Sequence, residues 1–269
     1  MRIQLCTCAC ALFVLAAAAP AAAQFNAPTP PAPGEDYRVE IGAMFWSPSP
    51  ELAINTNDLG PIGNEVDFVQ EFGIVDKRFT EFRFTLKPAR KHKMRVQYVP
   101  ISYEQDAVLE RTVVFGGRTF TVGLPAAADV EWKFWRFGYE WDFFSATGGF
   151  LGIIAELKYN EVHAEIASPI GTEIGEANAP IPGFGLIARG YFTENLSVTG
   201  EFTGFKVIDS LTERFDGTFW DFDIGATYNL GRNLGVQGGY RSLDVDYAAD
   251  EDVARLKLKG FYFGGLVRF

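Results

Sequence analysis

Cysteine occurs only at Cys6, Cys8 and Cys10. If the first residues are a leader that is removed, the mature chain has no disulfides and no thiol chemistry. Long apolar runs are also missing. No stretch reaches the 18 or more apolar residues that a membrane-spanning helix needs. Basic residues are outnumbered, 24 against 34 acidic ones, for a net charge of −10, and they form no cluster. That excludes the electrostatic footprint of a nucleic-acid binder. Histidine occurs twice, at His92 and His163, which limits the general acid–base chemistry open to the chain.

The start of the chain supplies a candidate leader. Arg2 precedes the apolar run ALFVLAAAA, and Ala21-Ala22-Ala23 stand before Gln24. A basic start, a short apolar core and small residues before the break are the pattern of a secretory signal peptide. The apolar core is too short to cross a bilayer of roughly 30 Å as a helix. The cysteines precede this core, whereas a lipid-anchored cysteine should follow it. Residues 27–34, APTPPAPG, cannot join a sheet ladder because proline lacks the donor. The expected organisation is a signal peptide over 1–23, a proline-rich linker over 24–36 and one β-domain over 37–269.

What the chain does have is aromatic residues (15%), 28 glycines and period-two alternation, which is β composition. Alternation marks ten segments: roughly 37–47, 78–87, 93–103, 129–143, 150–166, 183–193, 196–208, 218–230, 234–247 and 253–269. Eight strands is the alternative count. Every second connection is short (PARKH, FSATGG, EN, GRN), while those at 48–77, 104–128, 167–182 and 209–217 are longer. The fourth segment sets Trp135, Phe137, Tyr139, Trp141 and Phe143 against Arg136, Gly138, Glu140 and Asp142. About five apolar residues suit a tilted strand crossing hydrocarbon. A charge facing lipid at mid-depth costs about 2–4 kcal/mol, so in a membrane the charged faces must point inward. A soluble barrel of the lipocalin type, a periplasmic carrier, would exchange the faces.

The chain closes on LKGFYFGGLVRF, with Phe261, Phe263, Val267 and Phe269 at alternate positions. This end resembles the terminal strand of bacterial outer-membrane β-barrel proteins. The resemblance implies a transmembrane antiparallel up-and-down barrel with long outer loops and short periplasmic turns. It also implies that the barrel assembly machinery reads the last strand, which then pairs with the first, and that the barrel sits among outer-membrane lipid and lipopolysaccharide. Closure would remove an edge that is otherwise an aggregation hazard.

With the faces so assigned, the lumen receives equal numbers of opposite charges: Arg38, Arg83, Arg95, Arg136, Lys158, Arg189, Arg241 and Arg268 against Glu40, Glu81, Glu140, Asp142, Glu156, Glu201, Asp221 and Asp223. In so narrow a barrel these should pair and fill much of the space. The expected role is structural or interactive, with a narrow passage for small solutes as the open form of the same lumen. An outer-membrane enzyme acting on lipid A or peptides, as in the ten-stranded omptin-like proteases, would need a histidine beside a serine or carboxylate. His92 falls in a basic turn, and no Asp-x-His occurs. His163 shares a face with Glu161 and Glu165, outward and away from the mouth. No catalytic, cofactor-binding or metal site is therefore assigned. Acidic outer loops (Glu51, Asp58, Glu65, Asp67, Glu71, Asp76; Asp244, Asp246, Asp250, Glu251, Asp252) are candidates for divalent cations. VVFGGRTFTV reads as a small hairpin turning at Gly116-Gly117, either a ridge above the membrane or a lid over the mouth.

Overall fold

A computed structural model describes residues 33–55, 66–206, 215–249 and 252–269. The leader reading of 1–23, and the loop acids Asp58, Glu65, Asp250 and Glu251, lie outside the described residues. The strands are β1 (Val39–Asn55), β2 (Val66–Asp67), β3 (Phe79–Ala89), β4 (His92–Val108), β5 (Val113–Phe115), β6 (Arg118–Phe120) and β7 (Pro125–Ala146). They continue with β8 (Gly149–Ser168), β9 (Gly171–Tyr191), β10 (Leu196–Lys206), β11 (Phe215–Asn229), β12 (Leu234–Ala249) and β13 (Asp252–Arg268). One short helix, α1, spans Phe68–Phe72.

Ten of these strands form the wall, each antiparallel to its neighbours in the order β1, β3, β4, β7, β8, β9, β10, β11, β12, β13. The wall closes where β13 pairs with β1, from Glu40 opposite Arg268 to Asn55 opposite Val253. The terminal aromatic completes the seam: the Arg38 and Val39 amides donate to the Phe269 carbonyl at 2.7 and 3.0 Å, and the Phe269 amide donates back to Val39 at 2.8 Å. The edge expected from the last twelve residues does not exist.

The strands run further at the outer end than alternation alone suggests. The stretch 167–182 is mostly strand, because β8 and β9 pair continuously up to Ser168 opposite Gly171. Among the described residues the upper part of β9 pairs only on that side, since its ladder with β10 stops at Phe184 opposite Gly204. Pro180 and Pro182 are tolerated there because an edge does not need their missing donors.

Apart from irregularities near the lower ends of β3 (Leu86 to Ala89) and β7 (Trp141 to Phe144), each strand keeps one parity, but the chemistry of its two faces changes with height. On β7 the even residues point inward. They run Ala126, Ala128, Val130, Trp132 and Phe134, all buried, and then Arg136, Gly138, Glu140 and Asp142. The outward residues run Asp129, Glu131 and Lys133, and then Trp135, Phe137, Tyr139, Trp141 and Phe143. β8 repeats the change, with Leu151, Ile153, Ala155, Leu157 and Tyr159 outward below and Glu161, His163 and Glu165 outward above. Tyr98, Trp135 and Tyr159 mark the boundary. Tyr98 and Trp135 stack at 4.1 Å, and Trp135 stands opposite Tyr159. Amphipathic rings at this level are the aromatic girdle of a membrane interface.

This assignment of height predicts unequal tolerance on one face of one strand. Phe137→Arg, below the girdle, should destabilise the folded barrel by about 2–4 kcal/mol. Glu131→Arg, above it on the same face, should change stability by under about 0.5 kcal/mol. Urea titration of both variants refolded in vesicles, read by the heat-dependent gel shift, checks the difference.

Candidate functional site: the filled lumen

The lumen is filled in three tiers. At mid-height sits an ion-paired layer drawn from nearly every strand. Arg136 of β7 bonds Glu156 of β8 at 2.7 Å and contacts Glu201 of β10. Arg95 of β4 reaches Glu201 at 2.7 Å and Glu140 at 3.3 Å. Arg241 of β12 holds Asp221 at 2.8 Å and Glu81 at 3.0 Å. Arg83 joins Glu81 and Asp223, the latter at 3.0 Å, and the Tyr262 hydroxyl donates to Asp223 at 2.6 Å. Lys158 donates to Thr203 at 2.8 Å and pairs with Glu156 at 2.9 Å and Asp221 at 3.5 Å. A cavity of about 70 Å³ remains among these side chains, room for a few waters at most.

Above this layer the lumen turns apolar. Arg241 lies 5.4 Å from the ring centres of Trp46 and Phe134, and Lys158 Nζ lies 3.7 Å from that of Phe219. These rings form the floor of a buried cluster that includes Val99, Ile101, Val130, Trp132, Leu243 and Leu258. Two excursions from the wall complete it. Helix α1 is capped by Asp67, whose carboxylate accepts from the Val69 and Gln70 amides at 3.0 Å. It ends at Gly73, whose φ of 68° suits glycine. α1 inserts Phe68 and Phe72 into the mouth. The β5–β6 hairpin turns at Gly116 and Gly117, φ 56° and 76°, and buries Val113, Phe115 and Phe120. Phe68 meets Phe115 edge-on at 5.9 Å. The hairpin is therefore a lid, and Arg118 pins it to the β8–β9 tip through Glu173 at 2.5 Å and the Ile170 carbonyl at 2.7 Å.

The third tier closes the periplasmic end. A turn of 3-10 helix, Pro33–Glu35, enters the lumen, and Glu35 meets Lys87, Lys93 and Arg189. Arg268 bonds Glu40 at 2.5 Å and Asn229 at 2.6 Å in the same tier.

Arg38 departs from the sequence expectation. It precedes β1, is exposed, and its guanidinium donates to the Pro88 carbonyl at 3.4 Å, because the strand that would turn it inward begins one residue later. The other charges assigned to the lumen are inward and paired. Sequence reading missed Lys87, Lys93 and Gln97, whose parity with Glu81 and Arg95 was available as a signal. It also missed Glu35, hidden in a segment read as linker. Phe261, Phe263, Val267 and Phe269 all face outward. His92 is not a free turn residue. It opens β4, and its Nδ1 lies 2.5 Å from the Tyr139 hydroxyl. His163 is on the outer wall, 3.2 Å from Glu176 and 3.8 Å from Glu165. Among the described residues no group of His, Cys, Asp and Glu is placed to hold a metal ion.

No protein-family model matches the chain, and no curated protein matches it. Among solved structures it is similar to the outer membrane protease OmpT from Escherichia coli, with a TM-score of 0.55 and 9% identity over 86% of this chain and 97% of that one. The fold is that of the outer-membrane β-barrels. Weaker likenesses are the translocator domain of autotransporter NalP from Neisseria meningitidis (TM-score 0.43, 10% identity, 86% of this chain, 88% of that one) and Ail of Yersinia pestis (0.38, 9%, 86% and 99%). At these identities the likeness is one of fold.

On the outer wall above the girdle, Asp129 is unfavourably placed for a charged carboxylate. Partial burial raises its carboxyl above the ordinary range, and Glu104 and Glu131 add to the rise. One of its oxygens is buried without a hydrogen-bond partner. A carboxyl with a raised folded pKa favours the folded state below that pKa, and the benefit is lost as pH rises through it. Asp129→Asn should therefore raise the thermal midpoint at pH 7 and reduce the gain seen on mild acidification. Within the lumen, Arg136→Ala takes one of two cationic partners from each of Glu156 and Glu201, which keep Lys158 and Arg95, and should cost about 1.5–3 kcal/mol; urea unfolding of the refolded barrel reads it.

Proposed function

We propose that this protein is a non-conducting outer-membrane barrel whose work is structural or interactive and is done by the wall and crown it presents outside. The observation that supports this most is the apolar upper lumen sealed by α1 and the β5–β6 lid. Phe68, Phe115 and Phe120 are completely buried there. Below it, the cations and carboxylates pair across the full width of the barrel. A hydrated ion would have to cross both a greasy plug and a closed charge layer, and each is a barrier by itself. The same reading makes residues 1–23 a cleaved export signal. It makes the aromatic C-terminal strand the segment read at assembly, and lipopolysaccharide the neighbour of the outer wall.

The protein is not proposed to be an enzyme. OmpT is described as a protease, but His92 of this chain faces outside against Tyr139, and His163, which does stand beside the Glu176 carboxylate, lies on the outer wall away from the lumen. A passage for small solutes is the second reading, and the small cavity within the charge layer is what favours it.

The deciding experiment is conductance of the refolded protein in a planar bilayer. A folded, heat-modifiable barrel that gives no steps supports the closed reading, and removal of residues 110–122 should be needed before any steps are seen. Steady steps from the unaltered protein, with an ion preference changed by Arg136→Gln or Asp221→Asn, would establish the passage instead.

A further inference from the structure

The N-terminal segment ahead of β1 occupies a place built for an anion. Glu35 Oε1 takes Arg189 Nη1 at 2.6 Å and the Tyr191 hydroxyl at 3.4 Å. Its Oε2 takes Lys87 Nζ at 3.0 Å and faces Lys93 at 3.8 Å. Oε1 thus accepts from two donors, and Oε2 from one, with a second ammonium at ion-pair distance. These donors come from three strands of the wall, β3, β4 and β9, and Lys87 and Lys93 are almost wholly buried. Lys93 also has Glu140 and Asp142. The ion pairs of Lys87 and Arg189 among the described residues are with Glu35. The wall therefore holds buried positive charge that it does not itself neutralise.

The segment that supplies the anion is not part of the sheet, whose first strand begins at Val39. It is held by contacts at single residues. A Cβ on Gly34 would stand 2.6 Å from the Tyr191 hydroxyl and 2.8 Å from Asn229 Nδ2, so a side chain there would have to push both tips aside. Tyr37 lies against Lys87 and Arg268 at 5.0 and 5.7 Å. Beside the segment, Ser197 Oγ, Thr227 Oγ1, Asn229 Nδ2 and Arg268 Nη2 are buried without hydrogen-bond partners. Such unpartnered groups mark a polar site with more donor capacity than the chain uses.

We propose that the periplasmic end of the lumen is a carboxylate-binding site. Glu35 fills it as a tethered ligand, and a carboxylate from outside the chain binds Lys87, Lys93, Arg189 and Tyr191 when the segment is withdrawn. The chemistry follows from the donors. Two ammonium groups, one guanidinium and one hydroxyl are arranged in pairs on two oxygens, which suits a planar anion. The withdrawn state leaves the barrel ladder intact, because no strand pairing is lost. It also leaves the lid at the other end untouched, so this site is independent of whether the barrel conducts.

The test uses the full mature chain carrying Glu35→Ala, refolded in phosphatidylcholine vesicles, with acetate as the probe and chloride at equal ionic strength as the control. The thermal midpoint of the gel shift should fall by several degrees relative to the unaltered protein. Acetate should restore at least half of that loss, saturably, and chloride should not. The unaltered protein and Asp36→Ala, whose exposed carboxylate is outside the site, should show no acetate effect. Adding Lys87→Met to Glu35→Ala should abolish the recovery. If Glu35→Ala does not refold, Glu35→Ser, which also vacates the donors, takes its place, and the same selective recovery is expected of it. Equal effects of acetate and chloride, an acetate effect of the same size on the unaltered protein, or a Glu35→Ala midpoint equal to that of the unaltered protein would each overturn the proposal.

Discussion

Side-chain parity along a closed sheet governs everything else in this molecule. Once β13 and β1 are joined, each residue is assigned to inside or outside wherever its strand runs in regular register. The surroundings are not constant along that length. Below the girdle the outside is hydrocarbon and the inside must take every charge. Above it the outside is water and the inside is free to become an apolar core. One sheet thus satisfies two opposite solvents by exchanging its chemistry between Phe134 and Arg136 on the inner face and between Lys133 and Trp135 on the outer. A membrane barrel and a soluble barrel are not rivals here. They are stacked along one axis.

The exchange explains how the lumen is filled. Buried ion pairs bring little net stability, but they specify partners, since removing one member leaves the other uncompensated. In the membrane layer each arginine is therefore tied to carboxylates on other strands, as Arg136 is to Glu156 and Glu201. The apolar layer needs volume rather than pairing, and ten strands enclose more than their own side chains fill. Phe68, Phe72, Phe115 and Phe120 supply the remainder from outside the wall. The rings of Trp46, Phe134 and Phe219 join the layers by offering their faces to Arg241 and Lys158, which suits a boundary with charge on one side only.

Much of the wall was legible in the sequence because period-two alternation is strong wherever one face meets lipid. The stripe Trp135 to Phe143 identified its strand, its outward face and its depth together. The seam was legible from Phe261, Phe263, Val267 and Phe269. The outer ends of the strands were not, because there the contrast reverses. Residues 167–182 read as loop since small and polar residues alternate with proline, and pairing with β8 alone makes them strand. The lid was visible as a hairpin but not as a lid, since nothing local in VVFGGRTFTV says where Phe115 and Phe120 will be buried. Glu35 was invisible for a different reason. Its partners lie 52, 58 and 154 positions away, and no pattern in PAPGEDY announces them.

The seam also has a kinetic meaning. Its register joins Glu40 to Arg268, across almost the whole chain, so it is the most non-local contact in the molecule. Its formation is the moment at which the largest loop-closure entropy of the wall is met. Until that moment the sheet carries two open edges of up to seventeen residues, β1 and β13, each able to pair with a foreign strand. Pairing of β13 with β1 is therefore what ends this exposure. A chain truncated by even a few residues at Phe269 loses the final hydrogen bonds of the seam and lengthens the time for which both edges stay open.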